Sequence, residues 1–222
     1  MQNNAKEISK MINTKDQEEL FKLVAEYLEE NIQCTAIGGT AMMFSKYKTT
    51  TKDIDLIFKT EKERNTFIKA IEQLGYKQQA IGTIYDEKRK QHEGKPVMYT
   101  RGDERFDLFI KNIFGYKIEF NQDKIIQRID FIGEKELTIF ILSKEELILL
   151  KSITGREKDY EDIETILNIE KNVDWKKIVE QAIEQKENNS WILIDLEKTL
   201  QQLKRKHFIK QEIFERIYKE QK

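Results

Sequence analysis

Between Asp16 and Glu30 the apolar residues Leu20, Phe21, Val24, Tyr27 and Leu28 fall on one face of a helix, and Thr14 and Gln17 stand ahead of them in capping-box spacing. The period then changes. A short apolar run, Cys34 to Ile37, ends at Gly38-Gly39 and gives way to Thr40 to Tyr47, which predicts a strand, a tight turn and one or two helical turns. Asp53 to Phe58 alternates acidic and apolar residues before turning wholly apolar, the pattern of a strand with one buried face and one working face. Thr60 and Glu63 form a second capping box before Phe67, Ile68, Ile71 and Leu74, with Gly75 where the helix would stop. Pro96 to Thr100 and Arg105 to Ile110 read as a hairpin turning over Arg101 to Glu104. Lys124 to Phe131 fits strand or helix, and Leu137 to Leu142 fits one more strand.

From Ser143 the texture is helical. Ser143 and Glu146 make a capping pair for a helix running toward Leu167, and further helices are expected near Asp174 to Lys186, Trp191 to Lys206 and Gln211 to Lys222. The pattern predicts an α/β (α+β) protein: a mixed sheet flanked by helices over residues 1–142, then a helical region over 143–222. No Gly/Ser or Pro linker separates the halves, so they are expected to pack together.

Composition narrows the classes. Charged residues make up 36% of the 222, yet 39 bases and 40 acids leave a net charge of −1, so no global basic field advertises a nucleic acid. Cys34 is the single cysteine, which rules out an intramolecular disulfide or a multi-cysteine zinc site and suits a reducing cytoplasm. Met1 to Lys15 lacks the apolar core of a signal peptide, and no stretch approaches the roughly 20 apolar residues of a membrane span. A cytoplasmic protein without membrane contact is the expectation.

The candidate chemistry lies in the acids. On a strand, Asp53 and Asp55 project from one face about 7 Å apart at their backbones, while Ile54 and Leu56 anchor the other. Such a pair repels itself unless a cation lies between, and hard cations such as magnesium, with manganese as a substitute, prefer carboxylate oxygens. Asp107 repeats the motif between Phe106 and Leu108; beside Asp53 to Phe58 it would complete a trio and could assist removal of an acceptor's proton. At the strand-to-helix turn, the Gly38 and Gly39 amides could receive a phosphate, with Thr40 adding a hydroxyl.

Ile37-Gly38-Gly39-Thr40, then Asp53-Ile54-Asp55-Leu56, then Phe106-Asp107-Leu108 resemble the signature of the DNA polymerase beta-like nucleotidyltransferase superfamily. That resemblance implies a nucleotidyltransferase fold in which the glycine turn holds a nucleoside triphosphate and Asp53, Asp55 and Asp107 bind metal. Gly155 to Ile163 is similar to the helix after the core in AbiEii-like and MenT-like toxins and related bacterial and archaeal members. It implies transfer of a nucleoside monophosphate to a hydroxyl, on a tRNA end, a protein side chain or a small molecule such as an aminoglycoside, with the first two favoured, and a cognate antitoxin as a possible partner. A non-catalytic module of the same fold, binding nucleotide or protein, is the alternative.

If one helix continued through Gly155, Lys151, Lys158 and Asp162 would fall within roughly 40° of one another. The resemblance implies that the two lysines could then meet the triphosphate, oriented by Asp162 or Asp159; a salt-bridged exposed face explains the same residues equally well. Lys46, Lys48 and Thr49 to Thr51 read as a polar loop, His92 and His207 as ordinary loop residues, and Lys204 to His207 as a solvated basic helix end.

Overall fold

The computed structural model describes residues 12–79, 94–120 and 124–221. Helix α1 spans Thr14–Glu26 and is capped by Asn13 rather than Thr14: Asn13 accepts the Asp16 amide, and Asp16 returns the bond to the Asn13 amide. Thr14 already has helical geometry, so the box sits one residue earlier than the Thr14/Gln17 spacing suggested, and Gln17 is buried in the core instead. Helix α3, Glu61–Gln73, keeps the expected Thr60/Glu63 box and stops before Gly75 at φ +88°.

Strands β2 (Ile32–Ala36), β4 (Asp53–Phe58), β5 (Lys77–Gln79), β6 (Val97–Arg101), β7 (Glu104–Ile110), β10 (Ile125–Ile132) and β11 (Glu136–Leu142) form the path of one mixed sheet in the order β10-β11-β2-β4-β7-β6-β5. Two pairings in it are parallel, β11 with β2 and β4 with β7. The short strands β8 (Asn112–Ile113) and β9 (Tyr116–Lys117) make a tight hairpin after β7, while β1 (Ile12–Asn13) pairs separately with β3 (Thr50–Thr51). The ambiguous segment near Lys124 is strand: on β10, Phe131 turns inward onto Phe21 while Arg128 and Asp130 stay exposed. His92 lies outside the described residues.

Helices α1 and α3 cover one sheet face, where Phe58, Phe67, Phe106 and Tyr76 make a chain of aromatic contacts with centroids 4.9–5.4 Å apart. Toward the C-terminus come α4 (Lys144–Thr154), α5 (Glu157–Ile169), α6 (Trp175–Glu184), α7 (Ile192–Leu203) and α8 (Gln211–Gln221). Their buried residues join those of the sheet in a single core running from Ile12 to Ile217. The single helix expected from Ser143 toward Leu167 is two. Gly155, at φ +56°, ends α4 in a left-handed cap, and Arg156 restarts the chain as α5. Ser143 does cap α4, but Glu146 does not complete the box; buried, it accepts from the Tyr116 hydroxyl at 2.5 Å and pairs with Lys124 at 3.0 Å.

Candidate active site

The parallel pairing of β4 with β7 sets Asp53 beside Arg105 and Asp55 beside Asp107. Paired residues share a face, so three carboxylates and one guanidinium form a compact array on two central strands. Ile54, Leu56, Phe106 and Leu108, all fully buried, hold those strands from the opposite face.

The glycine turn fits over Asp55. Gly38 has φ +54°, and a Cβ there would overlap the Asp55 carboxylate; a Cβ on Gly39 would overlap the Thr51 hydroxyl. Only glycine meets both conditions. The turn grips Asp55 through three hydrogen bonds: Gly39 N–H to Asp55 Oδ2 at 3.2 Å, Asp55 N–H to Thr40 Oγ1 at 2.9 Å, and Ile37 N–H to the Asp55 carbonyl at 3.1 Å. Thr40 is therefore placed differently from the expectation. It lies in the first turn of the short helix α2 (Gly38–Phe44), is fully buried, and spends its hydroxyl on the Asp55 backbone, where it positions the acid instead of reaching for a phosphate.

Arg105 is the residue that sequence reasoning passed over. Its Nε and Nη2 donate to both oxygens of Asp107, at 2.8 and 2.6 Å, and Nη2 also lies 3.4 Å from Asp53 Oδ2. The signal was present, since residues 105 and 107 lie two apart on one strand and must share a face. Withdrawal from water, reinforced by the Asp107 and Asp53 charges, pushes the Asp55 carboxyl up to about 7. Burial also raises Asp107, against the pull of Arg105 in the other direction.

The facing wall comes from α4 and α5. Lys151, 5% exposed, donates to Asp162 at 2.6 Å and lies 3.6 Å from Asp159, while Lys48 from the polar loop pairs with the second oxygen of Asp162. Asp159 accepts from Thr154 at 2.6 Å and from Arg156 at 2.7 and 3.1 Å. Lys151 and Asp162 thus meet by folding of two helices around Gly155, not along one helical stripe. Lys158 takes a separate position, exposed and without an ion pair among the described residues.

These walls enclose a cavity of about 140 Å³ lined by Gly38, Gly39, Asp53, Asp55, Asp107, Arg105, Lys151, Arg156 and Lys158 over an apolar floor that includes Phe109, Phe114 and Leu150. Two larger hollows, about 560 and 510 Å³, lie elsewhere; the first is lined by Lys59, Glu63 and Arg128 among apolar and amide side chains, the second by charges of both signs that include Glu170, Lys171, Asp174, Lys176, Lys210 and Glu212, and neither contains the strand aspartates or the glycine turn. The Lys204 to His207 cluster does not line the cavity; Lys206 pairs with Glu164, and His207 borders the second of the larger hollows.

A family model described as "Nucleotidyltransferase of unknown function (DUF6036)" matches residues 15–212. The chain belongs to that nucleotidyltransferase family. The crystal structure of ANT(2")-Ia in complex with adenylyl-2"-tobramycin is a more distant likeness, with 16% identity, a TM-score of 0.47, and coverage of 74% of this chain and 94% of that one. No curated protein matches the chain.

A nucleotidyltransferase handles a polyanionic substrate, and the acids here bear on how a metal could be held. As the side chains stand, no three His, Cys, Asp or Glu groups among the described residues close around a single ion; the Arg105 guanidinium reaches both Asp53 and Asp107. The donor chemistry nevertheless fits magnesium. The three acids carry hard oxygen donors, and one guanidinium leaves two negative charges uncompensated when all three are ionised. Among the described residues no helix is long and apolar enough to cross a membrane.

Proposed function

We propose that this nucleotidyltransferase moves a nucleoside monophosphate from a nucleoside triphosphate to an acceptor hydroxyl with the help of magnesium. The observation that carries the reading is the pairing of Asp55 with Asp107, which gathers Asp53, Asp55 and Asp107 on one wall of a cavity whose other wall bears Lys151, Arg156 and Lys158. Magnesium, held by the three aspartates, would supply charge neutralisation and Lewis acidity at the phosphates. Lys158 and Arg156 at the mouth draw in the triphosphate, and Lys151 balances charge deeper in, next to the Gly38-Gly39 turn. Asp107 takes the proton of the acceptor hydroxyl as the new oxygen–phosphorus bond forms and the bond to pyrophosphate breaks. Arg105 grips both oxygens of Asp107 and sets its orientation.

The acceptor we favour is an RNA end, such as that of tRNA, or a protein hydroxyl. Arg156 is exposed at the cavity rim beside exposed Lys158, and both are cations, which welcomes a phosphate-bearing acceptor and repels a polycationic one. A toxin held in check by an antitoxin is the physiological setting suggested by the resemblance of Gly155 to Ile163.

The test is incubation with magnesium, labelled triphosphates and either tRNA or protein extract, followed by mass analysis for added nucleotide. Wild type should transfer label and arrest growth when expressed, and Asp53→Ala should do neither. Nucleotide binding that ignores Asp53→Ala, with no transfer in either protein, would leave a non-catalytic binding module in place of an enzyme.

A further inference from the structure

Strand β10 is the outermost strand at one end of the main sheet. Among the described residues its only strand partner is β11, and no other backbone group there pairs with 126–132. An eight-residue open edge is a template for another strand. This one also carries exposed apolar side chains at its two ends, Ile126 at 57% and Ile132 at 66%. Between them the order Gln127-Arg128-Ile129-Asp130-Phe131 is self-complementary about Ile129.

We propose that β10 is the interface of a two-fold homodimer, in which two copies join their sheets edge to edge, antiparallel, about an axis through Ile129. In that register Arg128 of each copy stands opposite Asp130 of the other, and the ends bring Ile126 near Ile132. Neighbouring registers fail on physical grounds. A one-residue slip sets residues of opposite faces against each other. A shift of the axis to Arg128 or Asp130 sets like charges directly opposite, which is destabilising. Within one chain Arg128 already donates to Asp130 at 2.8 Å and to Glu136 at 2.8 Å, with half its side chain exposed, so the joint extends an existing charge pair into an alternating four-membered cluster. The bulge at Ile126 ends the regular ladder there and limits the pairing to the segment from Gln127 onward. Through β11 and β2, the face bearing Arg128 and Asp130 is the one bearing Asp53 and Asp55, so both cavities would belong to the same side of the joined sheet.

Sedimentation of the full chain over a dilution series up to about 100 µM reads the association directly. Wild type should be a dimer at the top of the series. Arg128→Asp and Asp130→Arg should each weaken association by about tenfold or more, and the double swap should restore it to within about threefold of wild type. A second measurement does not depend on those charges. Ile129→Cys lies on the axis, and the native Cys34 is buried, so mild oxidation should give a disulfide-linked dimer, whereas Phe208→Cys, at an 87% exposed site, should not. A wild type that stays monomeric throughout, a dimer indifferent to both single swaps, or a double swap no better than the singles would overturn the proposal. So would an Ile129→Cys protein that links no faster than Phe208→Cys.

Discussion

On the sheet wall of the cavity, Asp53, Asp55, Arg105 and Asp107 take their places from strand register and from a glycine turn that fastens the backbone of Asp55. On the helical wall, Lys151, Arg156, Asp159 and Asp162 take theirs from one another, through ion pairs between two helices that meet at Gly155. The sheet wall is fixed by backbone pairing and carries an excess of one charge sign, so its electrostatic cost is left for a ligand to relieve. The helical wall is nearly self-compensated, so losing a member costs stability before it costs chemistry. Residues that line the two walls of one cavity should therefore respond to substitution in opposite ways.

The largest effect should come from the sheet wall. Asp53→Ala or Asp55→Asn should lower nucleotide transfer on the order of 10²–10³-fold while leaving the denaturation midpoint near that of wild type or above it. A parallel loss of stability and activity would erase the contrast between the walls. Next is Lys151→Met, which leaves Asp159 and Asp162 buried with less compensation and should cost about 3 kcal/mol in urea denaturation. Lys48 still reaches Asp162, which keeps the figure at the lower end of the range for a broken buried pair.

Gly38→Ala should cost about 1–3 kcal/mol and also reduce transfer, because the left-handed turn is strained by a Cβ that simultaneously crowds Asp55. Gly102→Ala is the control, since φ is +59° there but no atom lies within 4 Å of the added carbon. It should show the strain with no effect on transfer, and the difference between the two isolates the crowding.

The pH response sharpens the same comparison. Asp55 titrates at about 7 in the folded chain and near 4 when unfolded, so the folded state holds this proton more tightly. Its contribution to stability is full below pH 4 and is lost as pH rises toward and through 7. Thermal melts without divalent cations should decline over that window, Asp55→Asn should flatten the decline, and magnesium should raise the melting temperature most at its alkaline end. The smallest effect belongs to exposed Lys158. Lys158→Ala should leave stability unchanged and raise KM for the triphosphate roughly three- to tenfold.

Local pattern carried a large share of what the structure contains. The Thr60/Glu63 cap, the stop at Gly75, the hairpin bearing Asp107 and the strand bearing Asp53 and Asp55 all depend on neighbours within a few positions, and all are present. Errors arose where a local signal had two readings. Thr14 and Asn13 are both capping residues, and backbone geometry chose Asn13. Gly155 can sit inside a helix or end one, and the fold back onto Lys151 required the ending. Thr40 carries a hydroxyl fit for a phosphate or for a backbone amide, and burial decided for the amide.

By itself the sequence determined most of the longer elements, the alternation that puts Asp53 and Asp55 on one strand face, and the glycines that allow close approach, because these follow from side-chain period and backbone freedom within a single segment. Only the tertiary structure decided that β4 and β7 run parallel in the register that sets Asp55 beside Asp107, that Arg105 holds Asp107 and reaches Asp53, and that Lys151 meets Asp162 across a broken helix. Those are pairings between segments far apart in the chain. Their geometry is set by how the buried faces of many elements fit together at once, and no one segment encodes that fit.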